Sequence, residues 1–161
     1  MEYLIEVSYK PGFFDALGNT AKKDIKDLGI PGVSKVKSAQ LYHIEGEIKE
    51  KELKFLCEEL LSDPITQQYK ISISSDGRWK TRLAARQAKD EHIFTVQVWY
   101  KKGVTDAVAD TVKKGTIDLG IQGMNTVKTG YEYTIIGNVS SEQIERICRG
   151  LLANKVVQEY L

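Results

Sequence analysis

Few side chains in this sequence have the chemistry to attack, move protons or hold ions. Cys57 and Cys148 could act as thiolate nucleophiles. His43 and His92 could shuttle protons or ligate a metal. Neither histidine has a cysteine or second histidine at metal-ligand spacing, and the sequence has no CxxC. Glu45 and Glu47 stand two apart, close enough on one strand face to bind a cation weakly. Lys22-Lys23 and Lys113-Lys114 could grip an anion. A glycine-rich phosphate loop is missing, since Lys10-Pro11-Gly12 and Lys101-Lys102-Gly103 carry one glycine each. Arg78, Trp79, Arg82 and Arg86 belong to residue types favoured in interface hot spots.

The elements that must position these groups are written twice. A shift of 91 positions lays the chain on itself without a gap. Tyr9-Lys10 falls on Tyr100-Lys101, and Gly12 on Gly103. Asp15-Ala16 falls on Asp106-Ala107, and Asp27-Leu28-Gly29-Ile30 on Asp118-Leu119-Gly120-Ile121. Cys57, Leu60, Leu61, Gln67 and Tyr69 recur as Cys148, Leu151, Leu152, Gln158 and Tyr160. Two modules follow, 1–74 and 92–161. The linker 75–91 has no counterpart, and its run of helix formers from Arg78 to Lys89 predicts partial helix.

Each module reads β-α-β-β-α-β. Tyr3, Ile5, Val7 and Tyr9 alternate along a first strand, as do Phe94, Val96, Val98 and Tyr100. Asp15 and Asp106 suit the cap of a first helix, whose apolar stripe is Leu17, Ala21, Ile25 and Leu28. Strands are expected over Val33–Ser38 and Leu41–Ile48, the second with Tyr42, Ile44, Gly46 and Ile48 inward. A second helix carries Leu53, Leu56, Cys57, Leu60 and Leu61 at core-facing spacing, repeated as Ile144, Ile147, Cys148, Leu151 and Leu152. Ser140 with Gln143 makes a capping box. The expected fold is α+β: two tandem ferredoxin-like modules. Each is an antiparallel sheet with two helices on one face, packed as a pseudo-twofold pair.

The repeat also weighs the candidate sites. Cys57 and Cys148 occupy one inward helix position, which is packing. His43 points outward on its strand and reads as solvated. Copy two has Ile136 and Asn138 in place of Glu45 and Glu47, so that pair reads as a solvated face. The paired lysines read as solvent-facing helix residues. The linker reads first as a solvated helix, with a docking surface as its functional alternative. No catalytic, cofactor or metal residue is expected.

Composition narrows the partners. The 161 residues are 42% hydrophobic and 28% charged, with a net charge of +1. That balance builds a soluble core but not the basic face a nucleic-acid binder needs. The predicted strands Val33–Ser38 and Met124–Gly130 lack the base-stacking aromatics of RNA-recognition sheets. No apolar run reaches the roughly 20 residues of a membrane span. The cytoplasm is the expected compartment.

As a set, these motifs resemble the PurS family. The carriers are "YKPGFFDALGNTAKKDIKDLGI", "VSKVKSAQLYHIEGEI" and "LCEELLSDPITQQY", with "YKKGVTDAVADTVKKGTIDLGI" and "CRGLLANKVVQEY" in copy two. That family is the small subunit of phosphoribosylformylglycinamidine synthase, the glutamine-dependent amidotransferase of purine biosynthesis. The resemblance implies a fused pair of modules and a non-catalytic scaffold, without cofactor. Its implied partners are a glutaminase and a synthetase subunit, with self-association open. Gly12, Asp15, Gly103 and Asp106 are the matching motif positions, and the family reading makes them structural. Copy two departs at Lys102 and Lys155, where copy one has Pro11 and Pro64. The alternative is a tandem ACT-like module that binds a small amino acid, but the ligand-contact residues expected at its first turn are absent.

Overall fold

The computed structural model describes residues 1–74, the backbone of 86–88, and residues 91–161. The order is β1 (Glu2–Tyr9), α1 (Ala16–Asp27), β2 (Val33–Gly46), α2 (Glu50–Leu56), β3 (Gln67–Ser74) and β4 (Arg86–Ala88). It continues with β5 (Glu91–Tyr100), α3 (Ala107–Asp118), β6 (Met124–Gly137), α4 (Ser141–Ile147) and β7 (Gln158–Tyr160). The class is α+β with antiparallel strand pairing.

Local chemistry explains most boundaries. The side chains of Asp15 and Asp106 cap α1 and α3. Ser140 and Gln143 form the expected capping box on α4, whereas Lys49 gives α2 no side-chain cap. Both second helices end in a single π-helical turn, Cys57–Leu61 and Cys148–Leu152. There Ser62 N–H donates to Cys57 O at 2.9 Å, and Ala153 N–H to Cys148 O at 3.2 Å. The wider turn keeps Cys57 and Leu61 inward while Leu60 is partly exposed. The predicted stripe of the first helix is wrong at its start. Leu17 and its repeat Val108 are exposed, and Gly18 and Ala109 are the buried residues instead.

Two further differences matter. The strands expected over 33–38 and 41–48 are one continuous strand, β2, and copy two likewise has the single strand β6. Ser38-Ala39-Gln40 contains none of the Gly, Pro, Asn or Asp that would reverse a chain. Of the segment expected to be partly helical only Arg86–Ala88 is described, and it is extended; the rest lies outside the described residues. Arg86–Ala88 is a strand paired with β5, Gln87 opposite His92. Helix propensity lost to the ladder that β5 offers.

The chain forms two compact units, and each draws on both copies. One contains Met1–Phe13 and Val104–Gly130, with 39–74 among its described residues. Its strands run β3-β1-β2 and then the first part of β6. Its helices are α2 and α3. Its core joins Tyr3, Ile5, Val7, Ile44, Leu53 and Leu56 to Ala109, Val112, Ile121 and Val127.

The other unit contains Phe14–Ser38 and Tyr131–Leu161, with 86–88 and 91–103 among its described residues. It uses the first part of β2, the second part of β6, and β5, which also pairs with β4 and β7. Its helices are α1 and α4. Its core joins Ala21, Ile25, Ile30, Val33 and Val36 to Phe94, Val96, Val98, Ile135, Ile144 and Ile147. The copies have therefore exchanged their first helix and the strand segment after it. Each unit regains the two helices and four strand segments of a ferredoxin-like fold.

The exchange requires close backbone approach at the strand ends. In the first unit Glu47 N–H donates to Gly123 O at 2.9 Å, and a Cβ at Gly46 would overlap that same oxygen. In the second, Asn138 N–H donates to Gly32 O at 2.9 Å, and a Cβ at Gly137 would overlap Gly32 O. Each junction uses one glycine from either copy, which accounts for their recurrence in the sequence.

Candidate functional site

The loop before each first helix is built around one carboxylate. Asp15 Oδ1 accepts from Gly18 N–H at 2.8 Å and from the Ser38 hydroxyl at 2.6 Å. Its Oδ2 accepts from Ser38 N–H at 2.6 Å. Asp106 repeats the arrangement: Ala109 N–H at 2.9 Å, Thr129 N–H at 2.8 Å and the Thr129 hydroxyl at 2.8 Å. One side chain thus caps a helix and ties its start to the strand that follows. Gly12 and Gly103 make the turns ahead of these aspartates, with φ of 90° and 85° and open space around them. A short carboxylate just ahead of the helix makes the cap legible in the sequence; the tie to Ser38 and Thr129 is not.

Both cysteines are fully enclosed, at 0% exposure. Burial, with a smaller push from Glu58, drives the Cys57 thiol up to about 12. Burial and then Glu145 drive Cys148 to about 12 as well. Neither is a thiolate at neutral pH, and neither is open to a substrate. Each thiol has a higher pKa in the fold than the ordinary 9.0, so its contribution to stability is intact below pH 9. That contribution is lost as pH rises toward 12. The denaturant midpoint is expected to fall across this window, and less steeply in a Cys57→Ala/Cys148→Ala chain. Equal slopes would show that other groups carry the alkaline response.

His43 departs from the solvated reading. Its side chain is only 16% exposed, and Nε2 lies 3.0 Å from Glu2 Oε2 on the neighbouring strand. Cross-strand register supplied a partner that sequence spacing could not show. Glu45 belongs to this group, whereas Glu47 is engaged by the Met1 ammonium at 3.2 Å. His92 sits against Phe94, ring centres 6.1 Å apart.

Lys22, Lys23 and Lys26 are exposed, and with Asn19, Ile30, Pro31 and Val33 they line a shallow cavity of about 240 Å³. Copy two has Ile117 where copy one has Lys26, so the full lysine triplet is not repeated. Phe13 and Phe14, the latter 72% exposed, were not singled out by sequence reasoning. Their adjacency just ahead of a helix cap was the signal. Copy two has Val104 and Thr105 there. Of the linker candidates, Arg78, Trp79 and Arg82 lie outside the described residues, and Arg86 is placed only as backbone in β4. Among the described residues, no helix is long and apolar enough to cross a membrane.

Comparison with known proteins agrees with the duplication. The family model PurS, phosphoribosylformylglycinamidine (FGAM) synthase, matches residues 2–75 and again 93–161. A relative from Archaeoglobus fulgidus, phosphoribosylformylglycinamidine synthase subunit PurS, is 31% identical over 72 residues. That match covers 42% of this chain and 90% of the relative. The crystal structure of PurS from Methanocaldococcus jannaschii aligns with a TM-score of 0.41 at 24% identity, over 44% of this chain and 92% of that one. The Archaeoglobus fulgidus relative thus corresponds, over 90% of its length, to 42% of this chain. With both segments matched by the family model, the chain belongs to the PurS family of FGAM synthase, as two copies in one polypeptide.

Proposed function

We propose that this chain is a non-catalytic accessory subunit of an FGAM synthase complex in the cytoplasm. In this reading it bridges a glutaminase subunit and a synthetase subunit, so that ammonia passes between them without release to solvent. Its contribution is geometric, the holding of two active sites in a fixed relation. The observation that carries the reading is the match of both segments to PurS. Enclosure of both thiols supports it, because the candidate nucleophiles cannot meet a substrate.

We read 1–74 and 92–161 as duplicated modules joined by 75–91, one chain standing for two single-copy subunits. Gly12, Asp15, Gly103 and Asp106 are structural in this reading, since both carboxylates are consumed by caps and strand ties. Contacts with the partner subunits fall to the exposed Phe13 and Phe14 and to Arg78, Trp79, Arg82 and Arg86. Copy two has Val104 and Thr105 in place of the phenylalanines and the linker is not repeated, so the partners meet unlike surfaces.

Reconstitution tests the proposal. The chain alone is expected to show no glutamine-dependent amidotransferase activity. Added to glutaminase and synthetase subunits from the same source, it is expected to restore that activity. Full activity of those two subunits without it would overturn the reading.

A further inference from the structure

We propose that Glu2, His43 and Glu45 bind one divalent metal ion of the zinc type. The three come from neighbouring strands. Glu2 on β1 is the direct register partner of Glu45 on β2, and His43 lies two residues before Glu45. They therefore share the sheet face opposite the one that carries Tyr3 and Ile5. One ligand atom from each, the histidine nitrogen and two carboxylate oxygens, lies within 4.8 Å of the others. His43 Nε2 and Glu2 Oε2 are already 3.0 Å apart. That is close to the ~3.3 Å edge of a tetrahedron with ~2.0 Å bonds.

Charge points the same way. All three side chains are partly buried, Glu2 at 28% exposure. Two carboxylates beside one imidazole give the group an acidic balance that a divalent cation would offset. Among the described residues, the Met1 ammonium pairs with Glu47 and Lys70 with Glu6. A mixed nitrogen and oxygen donor set suits Zn²⁺, Co²⁺ or Ni²⁺ better than Ca²⁺, which takes oxygen donors and more of them. Three protein ligands leave a fourth position for water or for a donor from outside the chain.

The site belongs to copy one alone. Copy two has Ile93, Thr134 and Ile136 at the repeated positions, so the stoichiometry is one ion per chain. Bound metal would pin the start of β1 to β2. This inference does not depend on the bridging role.

The test uses the whole chain, stripped with a chelator and titrated with Co²⁺ by visible absorption and with Zn²⁺ by calorimetry. One ion per chain is expected. His43→Ala and Glu45→Gln should each weaken binding at least about tenfold, while Thr134→Ala, at the repeat position of His43, should leave it unchanged. Zn²⁺ should raise the melting temperature of the unsubstituted chain and not of the two ligand variants. Proton NMR of the two histidine rings needs no variant: substoichiometric Zn²⁺ should shift His43 and spare His92. Absence of saturable binding, binding that survives both ligand substitutions, or a shift confined to His92 would overturn the proposal.

Discussion

Gly123→Ala is expected to cost about 2–5 kcal/mol of folding stability, a large share of what holds a marginally stable domain folded. Two effects combine. The backbone at Gly123 has φ of 88°, a conformation that costs a side-chain-bearing residue about 1–2 kcal/mol. A Cβ there would also overlap the carbonyl oxygen of Glu47. Backbone cannot swing aside as a side chain can, so the strand-end junction must open. Overpacking of that kind adds about 1–3 kcal/mol, and the Glu47 N–H to Gly123 O bond sits on the same junction. Gly12→Ala is the comparison. It has φ of 90° but nothing within 4 Å of a new Cβ, so only the conformational cost applies. Urea unfolding of the two variants separates the effects. Equal losses would show that close approach at the junction contributes nothing.

Asp15→Ala is expected to cost about 2–4 kcal/mol. Losing a helix cap accounts for about 1 kcal/mol. The remainder comes from Ser38, whose part-buried N–H and hydroxyl both lose their acceptor. Asp15→Asn should fall between. Its single oxygen can still take Gly18 N–H or the Ser38 hydroxyl, but its amide nitrogen cannot accept from Ser38 N–H. Asp106→Ala should behave alike through Ala109 and Thr129. Chemical denaturation of all three variants checks the ranking. A harmless Asp15→Ala would mean that the carboxylate does not hold the loop.

Much of this architecture is legible in the amino-acid sequence. The inward positions of Ile5, Ile44, Leu53, Cys57 and their repeats follow from period alone. The capping aspartates are legible because a cap needs a short acceptor at one place. The exchange of first helices is hidden by the duplication itself. Ile25 and its repeat Thr116 face a core of the same construction in either arrangement, so burial patterns do not distinguish them. The missing turn at Ser38-Ala39-Gln40 is the one local clue. The Glu2–His43–Glu45 group is invisible for another reason: strand pairing joins residues far apart in the chain, and spacing carries no register.

The exchanged helices also bear on how the protein is made. The unit that begins with β1 is not complete until Gly130 has been added, because α3 and the start of β6 belong to it. Nor can α1, emerging early, find its core partners before β5 and α4 exist. A ribosome therefore releases neither half as a finished body. Contacts this distant in the chain slow folding, and the first copy's apolar faces must wait uncovered through most of translation. A chaperone that shields the nascent first copy should raise the yield of folded protein more than one supplied after release.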